Sequence, residues 1–301
     1  MKKIYLVFIT ALFSTAIHAQ GYQFDWAKSS GGTNSDESTA ITVDDSGNVY
    51  ITGNYQGIAD FDPGAGSVNL TSNGGYDVFI QKLDVDGNLI WAKSVGGSDF
   101  DWGSSISVDV SGNVYVTGYF RNTVDFDPGV DTFNLTSDGY DDVFILKLDS
   151  GGNFVWANSI GGSSQDYGKS IIIGTAGYVY VTGGFRSNTV DFDPGVDTVN
   201  LISNGDQDVF ILKLDTGGNF IWAKTVGGIG GDYGISTTLD ANGNVYIGGA
   251  FRGTADFDPG PGTVNLYSNG LIDVFILKLD ANGNFIWPNH LEDLKMNIGH
   301  P

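Results

Sequence analysis

Asp-Phe-Asp-Pro-Gly stands intact at four places, Asp60–Gly64, Asp125–Gly129, Asp191–Gly195 and Asp256–Gly260. Two carboxylates flanking a phenylalanine at a tight turn are oxygen donors of the kind Ca2+ collects, six to eight at a time. Asp60, Asp62, Asp125, Asp127, Asp191, Asp193, Asp256 and Asp258 are therefore candidate calcium ligands. The competing account is conformational: Asp opens a turn, Pro fixes φ, and Gly accepts a positive φ. The motif lacks the fuller acidic ladder of an EF-hand loop, which favours the turn. Asp84-Val-Asp86-Gly-Asn88 comes nearer to a calcium loop. Its counterparts Asp149-Ser-Gly-Gly-Asn, Asp215-Thr-Gly-Gly-Asn and Asp280-Ala-Asn-Gly-Asn lose the middle acid, so they read as hairpin turns.

Other chemistries are short of parts. Histidine occurs only as His18, His290 and His300, outside the repeated body, and there is no cysteine. A Ser-His-Asp triad, a cysteine nucleophile and ordinary zinc sites are thereby excluded from the body of the chain. Carboxylate pairs of the glycosidase kind remain, set about 5–10 Å apart across a substrate. Nothing in the sequence singles out such a pair.

Most acids recur in register and so serve what all copies share. One Asp follows each Gly-Gly linker (Asp36, Asp101, Asp166, Asp232), and another precedes each Val-Phe-Ile strand (Asp77, Asp142, Asp208, Asp273). Both sets are expected to cap turns and support packing. The repeated tryptophans read as packing between units. Lys82, Lys147, Lys213 and Lys278, with Arg121, Arg186 and Arg252, read as solvated or paired with aspartate. Binding chemistry is sought where the copies differ: Asp99, Phe100 and Trp102, then Tyr140 and Asp141, then Gln165, Asp206 and Gln207. Within that set Asp99, Trp102, Tyr140 and Gln207 are the candidate ligand-binding residues, because aromatics beside acids and amides suit a sugar or peptide.

Charge and the N-terminus narrow the setting. The formal net charge is −21 over 301 residues, and −23 once Lys2 and Lys3 are removed with a leader. Such a surface repels phosphate backbones, so nucleic acid is an unsuitable partner. Glu37 and Glu292 are the only glutamates among 35 acidic residues, so the acidity belongs to aspartate-built turns. Lys2-Lys3, the apolar run Ile4–Ile17 and His18-Ala19 have the layout of a secretory signal cleaved after residue 19. The expectation is a secreted or cell-surface protein with no membrane insertion after cleavage. Without cysteine it has no disulfide framework.

The elements that position these residues come from repetition. Trp26, Trp91, Trp156, Trp222 and Trp287 recur about 65 residues apart, which marks a repeat architecture. In one copy Ser105-Ile-Ser-Val-Asp-Val and Val114-Tyr-Val-Thr-Gly flank a Gly-Asn turn and form a hairpin. Val143–Leu148 and Phe154–Ser159 form a second hairpin, and the link after Asp125 has room for a fifth short strand. No helical period occurs outside the leader. The fold class is therefore all-β, a β-propeller of four tandem four-stranded blades with a closed ring favoured over an open arc. Cut at the repeat period, the blades are 24–88, 89–153, 154–219 and 220–284, with a closing strand to 290 and an irregular tail, 291–301. The orphan copy Tyr22–Ser30 could supply a closing strand, since Pro288 ends the last one.

The run Trp-Ala-Lys-Ser-x-Gly-Gly, an Asp, then Ser-Ile-x-Val-Asp-x-x-Gly-Asn-Val-Tyr-Val-Thr-Gly resembles the SBBP repeat of secreted and surface bacterial proteins. The resemblance covers roughly residues 22–290 and implies a propeller outside the cytoplasm, with no catalytic residues to carry over. The third copy departs from it at Gly174 and Tyr178, which replace the turn Asp and Asn. The functional expectation is a secreted, non-enzymatic module that binds or scaffolds an extracellular glycan or protein, with Ca2+ as its only candidate cofactor. The alternatives are a carbohydrate-active propeller using paired Asp, or a truncated remnant of a larger surface protein.

Overall fold

The computed structural model describes residues 25–186 and 188–287. The leader and the tail lie outside the described residues. Every regular element described is a β-strand. The strands form four antiparallel ladders of the same design. The first joins Asp36–Val43, Val49–Tyr55, Asp77–Leu83 and Leu89–Gly97. The second joins Trp102–Val108, Val114–Asp125, Asn134–Leu148 and Phe154–Ile160. The third joins Asp166–Ile173, Val179–Phe185, Asp208–Leu214 and Phe220–Gly228. The fourth joins Tyr233–Leu239, Val245–Phe251, Asp273–Leu279 and the short Phe285–Trp287. These are called units one to four below.

The phase differs from the sequence period. Each tryptophan strand pairs with the strand before it and closes a unit, where the repeat boundaries at 89, 154 and 220 place it at the start of one. The third and fourth strands are a tight hairpin, and hydrogen bonding follows the hairpin. The expected fifth strand is present as a short ribbon, Ile58–Asp60 with Asn69–Thr71 in unit one and Thr254–Asp256 with Asn265–Tyr267 in unit four. In units one, two and four the ribbon also pairs with the Gly-Gly that precedes the unit, as Gly96 with Asp125 and Gly227 with Asp256. The chain thus ties each of these units to the residues before it.

The turns explain the aspartate-rich composition. Asp44 Oδ1 accepts the amides of Ser46 and Asn48 at 2.9 Å, while its other oxygen takes Asn48 Nδ2 and the Tyr50 hydroxyl. Asp84, Asp109, Asp149, Asp215, Asp240 and Asp280 accept the same pair of backbone amides. These bonds favour the ionised form and hold Asp44, Asp84, Asp149, Asp215, Asp240 and Asp280 below the usual carboxylate range. At Gly174 the turn survives on backbone bonds alone.

The core is shared between neighbours. Val78 and Ile80 of unit one pack with Ile106, Val116 and Phe144 of unit two. Val143 and Ile145 pack into unit three, and Val209 and Ile211 into unit four. Stability then resides in nearest-neighbour interfaces, as in a repeat array. Among the described residues no pairing joins unit one to unit four. The expected closure of the ring is not found there.

Candidate functional site

Three of the four repeated lysines are not solvated. Lys82, Lys147 and Lys213 are buried and donate to Ser150 O, Thr216 O and Ala281 O in the next unit's turn. Each ammonium also lies about 5 Å over a tyrosine ring, Tyr50, Tyr115 or Tyr180. The same three carbonyls accept Trp91, Trp156 and Trp222 Nε1. The tryptophan and the lysine together clamp the following unit. Lys278 alone of the four pairs with an aspartate, Asp240 at 3.8 Å.

At the opposite end of the strands, the recurrent acids come together. Asp101 Oδ2 accepts Gly97 N at 2.7 Å, and Asp36, Asp166 and Asp232 likewise accept the amides of Gly32, Gly162 and Gly228. Asp77, Asp142, Asp208 and Asp273 each accept an amide four residues earlier. The Asp142 carboxyl presses so closely on Gly161 that a Cβ there would lie 2.2 Å from its Cγ, which accounts for the glycine. Burial pushes Asp77, Asp142 and Asp208 up to about 7, with a second carboxylate nearby adding to the rise. Burial likewise pushes Asp101 and Asp232 up to about 6. The other oxygen of Asp101, Asp166 and Asp232 receives the backbone amide of Arg121, Arg186 and Arg252. The buried acids therefore seat the arginines at the surface.

Above them runs a row of rings crossing three units. Phe100 and Trp102 each lie 6.0 Å from Tyr76, Trp102 stacks on Tyr119 at 6.3 Å and 7°, and Tyr119 meets Tyr167 edge-on at 4.8 Å. Lys169 Nζ stands over both Tyr119 and Tyr167. A polar chain runs beside the rings. Arg121 bonds Asp141 at 2.8 Å, reaches Asp99 at 3.9 Å and lies 6.0 Å from the Tyr140 ring. Gln165 contacts Asp141 at 3.4 Å and accepts from Arg186, which also donates to Gln207 and lies 3.7 Å from Asp206.

The eight symmetry-breaking residues singled out from the sequence thus meet on one end of the molecule. Asp99 and Tyr140 flank Arg121, Trp102 is in the aromatic row, and Gln207 holds Arg186. Tyr76, Tyr119, Tyr167 and Lys169 are site residues that the sequence reading omitted. Aligning copies would have found Tyr119, which stands where the others carry Asn54, Gly184 and Ala250.

The Asp-Phe-Asp-Pro-Gly carboxylates lie elsewhere, each with one oxygen bonded to backbone amides. Asp60 Oδ1 accepts the amides of Asp62 and Val68, and Asp62 Oδ1 accepts Gly64 N. Asp125 with Asp127, Asp191 with Asp193, and Asp256 with Asp258 repeat those bonds. Among the described residues no three His, Cys, Asp or Glu side chains are grouped to hold a metal. Melting curves in millimolar calcium and in chelator should coincide within about 1 °C, since a ligand stabilises only what it binds. A calcium-dependent rise would show that these turns do take the ion.

Comparison with known proteins agrees with the repeat. The family model SBBP, beta-propeller repeat, matches residues 25–54. An uncharacterised WD repeat-containing protein of Acanthamoeba polyphaga mimivirus is 28% identical over 232 residues, 68% of this chain and 17% of that protein. Regulatory protein FlaEY of Caulobacter vibrioides is 28% identical over 189 residues, 62% of this chain and 19% of that protein. The chain thus spans less than a fifth of either relative. A Bacteroides caccae protein of unknown function overlays 83% of this chain and 80% of its own at TM-score 0.30 and 10% identity.

Proposed function

We infer that the chain is a non-enzymatic, propeller-type binding or scaffolding module, secreted or held at the cell surface, that takes a carbohydrate chain on its aromatic end. The observation that carries this reading is the row from Phe100 to Tyr167 with the Asp99–Arg121–Asp141–Gln165–Arg186 chain beside it. Flat rings offer apolar faces to sugar C–H groups, and fixed carboxylates and amides bond hydroxyls. Partly exposed Asp99 and buried Asp141 both face the Arg121 guanidinium, which holds this polar chain in place. The perturbed acids lie beneath it, engaged by backbone amides. Four repeats of one blade pattern support a scaffold role, and the leader supports export.

The test is a panel of neutral and acidic oligosaccharides followed by intrinsic fluorescence. Trp102→Ala and Arg121→Ala should each weaken the best ligand at least ~10-fold while leaving the fold intact, as for a central aromatic or arginine anchor. Silence across the panel, or a ligand indifferent to both changes, would remove the reading.

A further inference from the structure

We propose that the exposed ends of the array are mutually complementary, and that the fourth unit docks on the first unit of a second copy of this chain, head to tail. Each internal junction buries the Val-x-Ile face of one unit against the next. Val78, Ile80, Val143, Ile145, Val209 and Ile211 are all at most 1% exposed, yet their counterparts Val274 and Ile276 are 77% and 49% exposed. The face that should receive them is equally bare. Ile41 of unit one is 67% exposed, where Ile106 and Ile171 are 6% and 4%. Beside it is a groove of about 450 Å3, floored by Ile51, Phe61, Phe79 and Gln81. Both ends are open among the described residues, where the first unit does not cover the last.

Three details show that these faces were shaped for one another. Internal junctions set a threonine of the earlier unit against a glycine of the later one. A Cβ on Gly103 would meet Thr52 Oγ1 at 2.7 Å, on Gly168 Thr117 Oγ1 at 2.4 Å, and on Gly234 Thr182 Oγ1 at 3.2 Å. At the two ends the sizes are exchanged. Unit four carries Gly248 in the threonine position, with nothing within 4 Å of its Cβ site, and unit one carries Ser38 in the glycine position. The bulk missing from one end is present on the other.

The clamp is split in the same way. Ser150, Thr216 and Ala281 carbonyls each accept a tryptophan and a lysine. Among the described residues Val85 O accepts Trp26 without a lysine, which leaves room for Lys278, whose counterparts reach the next unit. The junction hydroxyl is also divided: Ser105 and Ser170 accept Ile171 N and Thr237 N, while Ser236 is exposed and can accept Ile41 N of a second copy. Such a heterologous contact joins copies by the interface already used three times within the chain, closing a ring where the rotation allows.

Light scattering on the purified chain tests this. The expected result is a mass of at least twice the chain, falling to one chain in Val274→Asp and separately in Ile41→Asp, both exposed positions with the melting transition retained. Mixing the two variants should give two chains per particle and no more, since each keeps one good end. Gly248→Thr should also dissociate the assembly, and adding Ser38→Gly should restore it. A wild type that stays a single chain, variants that still associate, or a mixture that stays monomeric would each overturn the proposal.

Discussion

Gly183→Ala is expected to cost on the order of 4 kcal/mol or more, the range reserved for forced clashes in a packed interior. A Cβ at this residue would lie 1.8 Å from the Tyr167 carbonyl oxygen and 2.9 Å from the Phe210 ring. Its backbone is ordinary strand, so the constraint is close approach: the first strand of the unit bulges between Gly168 and Ser170 and presses against it. Gly53, Gly118 and Gly249 have the same kind of neighbour, so a glycine at this place in the repeat is a packing requirement met in every unit. A melting temperature within about 2 °C of wild type would show that the strands are not packed as described.

Stability is expected to rise as the solution is acidified from pH 8 to about pH 5. Asp77, Asp142 and Asp208 titrate near 7 in the folded chain, and Asp101 and Asp232 near 6, all above the unfolded carboxylate. A raised folded pKa means the native state binds the proton more tightly. The stabilisation is complete below the unfolded value, near 4, and is lost as pH climbs through 6 and 7. The turn aspartates act in the other direction. Their folded values lie below the unfolded one, so their contribution fails as pH drops beneath about 4. Between these windows the melting temperature should peak, on the order of 5 °C above its value at pH 8. A flat or falling profile from pH 8 to 5 would show that the buried acids are ionised and compensated. Asp142→Asn should remove part of the gain and leave the acid limb unchanged.

Local structure was legible because each signal is local. The Asp-x-x-Gly-Asn turns, the Gly-Asn hairpins and the alternation of β-branched residues state their conformation within about ten residues. What depended on a neighbour 60 residues away was harder. Lys82 looks like a surface charge until Ser150 O and the Tyr50 ring are placed around it. The period alone does not set the phase of the ladder: the tryptophan is the best marker of the period but belongs to the strand that closes a ladder. The candidate site was half legible: symmetry breaking picked out Asp99, Trp102, Tyr140 and Gln207. It could not show that Tyr119 and Tyr167, from different units, would complete one aromatic row. Closure was the least legible, since it depends on the angle between units, which no strand pattern encodes.

The most direct measurement is calorimetric titration of the purified chain with the best oligosaccharide from the panel, with mass spectrometry of the sugar afterwards. The account predicts a saturable heat at one site per chain, its loss in Trp102→Ala, and a ligand recovered unchanged after prolonged incubation. Cleaved sugar, with turnover abolished by changing Asp99 or Asp141 to Asn, would contradict it and make the aromatic end an active site.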